Sequence, residues 1–227
     1  SHYTCIETLE LILKNRTIRF NRLDRVNDPK ESLSRDYKTA QSMVFASCWT
    51  SAESESQLHW SMYAKSHQGV RITMPTLMFN GRHNNHKVTH DDRHYEITVD
   101  PVNRNGCLYQ IDRRGKQVMC LAGSSVSGPT KISYVSAEDA ILCNVTQRHD
   151  GTLYDLRSLG TVKLKEWECE SEYRFRILSA FGYSKDDSGE KWMSPGAFED
   201  SPVVTESIDV PLDASALEEM EIMLGPK

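Results

Sequence analysis

Residues 167–178 read WECESEYRFRIL, and the fold turns on how that stretch is taken. From Glu172 onward apolar and charged residues alternate. Tyr173, Phe175 and Ile177 fall on one face, with Arg174 and Arg176 on the other, which is the period of a strand packed on one side. Carried back through Trp167, the same period places Glu168, Glu170 and Glu172 on the arginine side, with Glu170 and Glu172 about 6.5–7 Å apart. Three carboxylates in a row repel one another unless they face water or something positive. The simplest expectation is a solvated edge-strand face on which arginine neutralises glutamate. The sharper one is a carboxylate held ionised by its arginine neighbour, able to bond a hydroxyl or stabilise a cationic transition state.

Outward from this strand, short apolar runs recur. Thr17–Asn21 alternates with Ile18 and Phe20 on one side, Met43–Trp49 is rich enough for a central strand, and Val70–Met74 follows a helix. Tyr95–Val99, Cys107–Ile111, Gln117–Leu121 and Lys131–Val135 are further strand candidates separated by Gly, Asn and Asp turns. Helices are fewer. Thr4 and Glu7 make a capping box ahead of Ile6, Leu9, Ile12 and Leu13 on one face, with a stop near Asn15. Ser54 and Gln57 make another, opening a helix expected to end at Gly69. A helix is also expected from Ser136 to about Gln147, a polar surface loop over Lys185–Glu190, and a helical turn into a last strand over Leu217–Leu224. Strands outnumber helices and hairpin spacings dominate. The expected fold is therefore α+β, one domain over residues 1–227, with a mixed or mainly antiparallel sheet and flanking helices.

Hydrophobic residues make up 38% and charged residues 26% of the 227, enough to fill one core. The net charge of −5 argues against broad phosphate neutralisation, so extended nucleic-acid binding is not expected. No apolar run approaches membrane-spanning length, and no membrane partner is expected. The chain opens on Ser1 and His2 as a trimmed N-terminus would, with no charged-then-apolar leader legible. Six cysteines are scattered without a C-x-x-C pair, which points to buried thiols in a cytoplasmic protein rather than disulfides or a zinc site.

Four further clusters carry chemistry-bearing residues. His2-Tyr3-Thr4 precedes the first helix. Asn27-Asp28-Pro29 with Glu31 reads as a turn, followed by a helix start whose dipole Glu31 would favour. Trp60, Tyr63, Ala64 and His67 recur at i, i+3, i+4 and i+7, one helix face closed by Gly69. Such a stripe is core unless its Tyr and His find polar partners in a cleft, so Tyr63 and His67 are candidates for binding. His83, His86, His90 and His94 could align on a helix as metal ligands, but their polar surroundings favour a flexible loop, and no metal is expected.

These pieces, taken in order, resemble a widespread bacterial family of domains of unknown function. They are His2-Tyr3-Thr4, Leu9–Phe20, Asn27-Asp28-Pro29 with Glu31, W-x-x-YA-x-x-H-x-GV from Trp60, W-x-x-E-x-EYR from Trp167, and Ile222-x-x-Gly225. More distantly, His-Tyr-Thr followed by a helix and a strand resembles the opening of ADP-ribosyltransferase-type domains. That likeness implies NAD as substrate, bound by His2, Thr4, Tyr63 and His67. His2 would bond a ribose hydroxyl, the Thr4 backbone the carboxamide, and Tyr63 would stack on nicotinamide. Either Glu170 or Glu172 would bond the nicotinamide-side ribose, with Glu172 favoured. The Ser-Thr-Ser strand usual in such domains has only a loose counterpart in Ser47-Cys48-Trp49-Thr50-Ser51. Beside NAD-using transfer or hydrolysis stands a non-catalytic ligand- or protein-binding module, and behind both another enzyme class such as a nuclease.

Overall fold

The computed structural model describes residues 1–28, 30–79, 84–90, 93–99, 107–111, 117–140, 146–148, 152–154, 158–186, 189–193 and 206–226. The chain opens with strand β1 (His2–Thr4), helix α1 (Ile6–Asn15), β2 (Thr17–Arg22), β3 (Val44–Thr50), helix α2 (Gln57–Tyr63) and β4 (Val70–Thr73). Then come β5 (Asn84–His90), β6 (Arg93–Val99), β7 (Cys107–Ile111), β8 (Gln117–Lys131) and β9 (Ser133–Val135). They are followed by β10 (Thr146–Arg148), β11 (Thr152–Tyr154), β12 (Val162–Leu164), β13 (Glu172–Asp186) and β14 (Gly189–Met193). The last elements are β15 (Ser207–Pro211), helix α3 (Ala214–Glu218) and β16 (Glu221–Leu224).

The largest sheet runs β15-β2-β3-β13-β8-β7, with β14 also paired to β13. A three-stranded sheet, β1-β4-β16, is separate from it. Pairing is antiparallel throughout the described residues except for the parallel β9–β12 pair. The fold is mixed α+β with mainly antiparallel sheets. One buried cluster joins Ile18 and Phe20 of β2, Phe45 and Trp49 of β3 and Phe175 and Ile177 of β13 to Val70 and Ile72 of β4 and Ile12 of α1. The apolar face of β13 thus packs where the alternation placed it.

Its charged face is not solvated. β13 lies inside the sheet between β3 and β8, and Arg174 is only 1% exposed. Nor does the strand reach back to Trp167. Lys165–Glu170 form a 3-10 turn, and Ser171, at φ 47°, breaks the alternation in the left-handed region. Glu168 and Glu170 therefore stand on a turn, with Glu172 alone on the strand.

Other expectations shift for local reasons. Thr4 is taken up by pairing with Val70 in β1–β4, so Cys5, not Thr4, sits at the N-cap of α1. On that helix Ile12 is buried, while Ile6 and Leu13 are exposed. Ser56 rather than Ser54 caps α2, accepting from the His59 N–H at 3.3 Å. Residues 137–140 form a turn and 146–148 a strand where a helix was expected. The Ser136 hydroxyl donates to the Asp139 carboxylate at 2.8 Å and accepts from the Asp139 N–H at 3.4 Å, a local cap around that turn. The histidine-rich stretch is a hairpin, β5–β6, because Val88, Tyr95, Ile97 and Val99 favour strands; His83 and Pro29 lie outside the described residues. Lys185–Glu190 likewise belongs mostly to the β13–β14 hairpin.

Gly69 does not end α2, which stops at Tyr63. Lys65, Ser66 and His67 then follow with positive φ. What Gly69 permits is close approach. A Cβ there would lie 2.2 Å from the Thr4 carbonyl oxygen and 2.8 Å from Ala64. Gly69→Ala is expected to cost about 1–3 kcal/mol, read as a lowered midpoint in chemical denaturation. An unchanged midpoint would mean that β1 and the 64–69 turn can part freely.

Candidate functional site

β1, β2, β3, α2, β12, the 3-10 turn and the start of β13 together enclose a cavity of about 220 Å³. Its floor is a chain of buried charge built from segments far apart in sequence. Arg174 donates from Nε to Glu172 Oε1 at 2.5 Å and from Nη2 to Glu172 Oε2 at 3.0 Å. The same Nη2 donates to Glu31 Oε2 at 2.9 Å. Lys163 Nζ reaches Glu172 Oε2 at 3.2 Å and Glu170 Oε2 at 2.5 Å, and lies 4.7 Å from the Trp167 ring centroid. Tyr63 donates its phenol proton to Glu170 Oε1 and accepts from Asn27 Nδ2 at 2.6 Å. Each buried ion thus has a partner of opposite sign, which offsets the large cost of taking charge out of water.

Protonation states follow from these contacts. Burial pulls the Lys163 ammonium down, but Glu172 and Glu170 outweigh it and raise its pKa, so it stays protonated. Burial pushes Glu172 upward, opposed chiefly by Lys163. Burial and Glu170 raise Tyr63, which stays a phenol. Cys48 is raised well above an ordinary thiol by burial and by Glu172, and so is no nucleophile. The His2 pKa is lowered by burial; its Nδ1 donates to the Cys48 carbonyl at 2.8 Å, which leaves Nε2 as an acceptor. His59, stacked 4.9 Å from Tyr3, is also lowered by burial.

Of the residues singled out from the sequence, His2, Tyr63, Glu170 and Glu172 line this one cavity. Thr4 and His67 do not. Thr4 is buried in the β1–β4 pair, and the His67 ring bonds Gln57 Oε1 at 3.1 Å beyond the end of α2. Glu31 heads no helix but is sealed against Arg174. Lys163 and His59, which the sequence did not point to, also line the wall, together with Asn27 of the Asn27-Asp28-Pro29 turn and Cys48 of the Ser47–Ser51 stretch. Lys163 left a faint signal, one lysine between Val162 and Leu164 in a three-residue apolar strand. Among the described residues no group of three or more His, Cys, Asp or Glu could hold a metal ion. Cys5, Cys48 and Cys169 are free thiols, and no described helix is long and apolar enough to cross a membrane.

A family model described as "Protein of unknown function (DUF2971)" matches residues 59–175, just over half of the chain. The chain belongs to the DUF2971 family. The DUF2971 match begins within α2, takes in Lys163, Glu170, Glu172 and Arg174, and leaves His2, Asn27, Glu31 and Cys48 outside it. No curated protein and no solved structure matches.

Proposed function

We propose that this DUF2971 protein binds NAD at the cavity and breaks its nicotinamide–ribose bond, as an ADP-ribosyltransferase or a glycohydrolase. The observation that carries the reading is the meeting of Tyr63, His2 and two buried carboxylates, Glu170 and Glu172, around one cavity. When the C–N bond breaks, its electron pair leaves with nicotinamide and positive charge builds on the ribose. A preorganised carboxylate in a dry site stabilises that charge strongly. Glu172 fills this role, held by Arg174 and Lys163, while Glu170 orients Tyr63 through its phenol. The Tyr63 ring stacks on nicotinamide, and the His2 Nε2 accepts from a ribose hydroxyl. Water or another acceptor then adds to the ribose carbon and loses its proton. At about 220 Å³ the cavity is smaller than the roughly 300–1,000 Å³ usual for whole-ligand sites, so it takes the nicotinamide-ribose end and leaves the adenosine outside.

A second reading has its own observation. All four oxygens of Glu170 and Glu172 already accept a bond within the chain, as they would in a ligand-binding module that does no chemistry. Nicotinamide release from NAD, assayed across acceptors beside an NAD-induced thermal shift, separates the two. Release with a shift is expected. A shift without release would select the binding module, and the loss of both would end the NAD reading.

A further inference from the structure

We propose that the cavity selects its ligand by charge, taking a flat organic cation of the pyridinium type in preference to the neutral ring of the same shape. The inference deepens the NAD reading and rests on the same cavity, yet it requires binding alone and no turnover. Its lining includes the aromatic residues Trp49, Tyr63, His2 and His59, and a ring quadrupole attracts a cation placed over its face. Beneath them the buried chain holds three carboxylates, Glu31, Glu170 and Glu172, against two cations, Lys163 and Arg174. With Asp28 and Arg176, which are also buried and act electrostatically on Arg174, the count is four carboxylates against three cations, short of one positive charge. Among the described residues no lining side chain supplies it from the wall, and burial pushes the Ser1 amine down to about 6. Burial lowers the pKa of both His2 and His59, keeping their imidazoles neutral. Arg19, the other cationic side chain on the wall, donates both Nε and Nη2 to Asp209, at 2.8 and 2.9 Å.

A neutral ring entering this space gains stacking and apolar contact. A cationic ring gains those and the field of an uncompensated charge in a setting of low dielectric. The difference has a consequence for the proposed reaction. The pyridinium nitrogen takes the electron pair of the broken bond, so the departing nicotinamide is neutral while the positive charge passes to the ribose. The floor then holds the charged sugar and no longer favours the ring, which leaves first.

The test uses two compounds that differ by one methyl group and one charge, 1-methylnicotinamide and nicotinamide, titrated against the whole chain by ligand-observed NMR. The cation is expected to bind at least about tenfold more tightly. Asn21→Lys, an exposed substitution on β2 at the cavity wall, should weaken binding of the cation more than that of nicotinamide, so that the ratio of the two affinities falls toward one. Equal binding of the two compounds, tighter binding of nicotinamide, or no binding of either would overturn the proposal, as would a preference that Asn21→Lys leaves intact. NAD cleavage assayed on the same preparation keeps the two readings apart. Cleavage without a cation preference sinks charge selection alone, and a preference without cleavage upholds charge selection while sinking the catalytic reading.

Discussion

Arg174→Ala is expected to destabilise the protein by about 3–5 kcal/mol, the scale measured when one partner of a buried ion pair is removed. For a chain of this size that is a fall in Tm of roughly 6–20 °C. The guanidinium is 1% exposed and is shared by Glu31 and Glu172, which come from opposite ends of the sequence. Without it Glu31 loses its ion-pair partner in the interior and Glu172 is left with Lys163. Arg174→Lys should recover part of the loss, since it restores charge but not the two-pronged geometry. Equilibrium denaturation measures both. A loss below about 1 kcal/mol for the alanine variant is the size found for solvated pairs and would sink the buried chain as described.

Glu172→Gln is expected to lower nicotinamide release by about a hundredfold or more, the effect of removing one preorganised group that meets charge in the transition state. Its position complicates the reading in a way the sequence alone did not suggest. Glu172 is 4% exposed and bonded to Lys163 and Arg174, so the amide variant also loses stability. Rates are therefore to be compared well below the melting point of each variant, with NAD binding followed in parallel. Glu170→Gln should act mainly through Tyr63, freeing the phenol and weakening NAD binding more than it slows the chemical step. Were Glu170→Gln the inactive variant and Glu172→Gln the active one, the cavity would stand and the assignment of the two carboxylates would reverse.

The period of Glu172–Leu178 and of Thr17–Asn21, and the apolar run at Met43–Trp49, were legible because a strand repeats every two residues wherever it lies. So was the acidic and aromatic character of the residues that line the cavity. A 3-10 turn ending in one left-handed serine leaves no such period, and Glu168 and Glu170 were accordingly read as strand. The failure at His67 has the same origin. The i+7 spacing assumes an unbroken helix, and three positive-φ residues after Tyr63 break it.

By itself, then, the sequence determined the α+β class, the core of the main-sheet strands β2, β3, β7 and β13 and the start of β8, though not β14 or β15. It also determined the residue types its chemistry can draw on. All of these rest on local periodicity and composition. Tertiary structure decided which of those residues meet. Whether the arginine face of β13 is wet or dry depends on the β3 and β8 strands beside it and the 158–170 segment over it, none of which the alternation of β13 can report. Lys163 and Glu31 joined the site only when the chain folded. A single buried charge finds its partner across 143 residues as readily as across two, and sequence distance carries no trace of that electrostatic requirement.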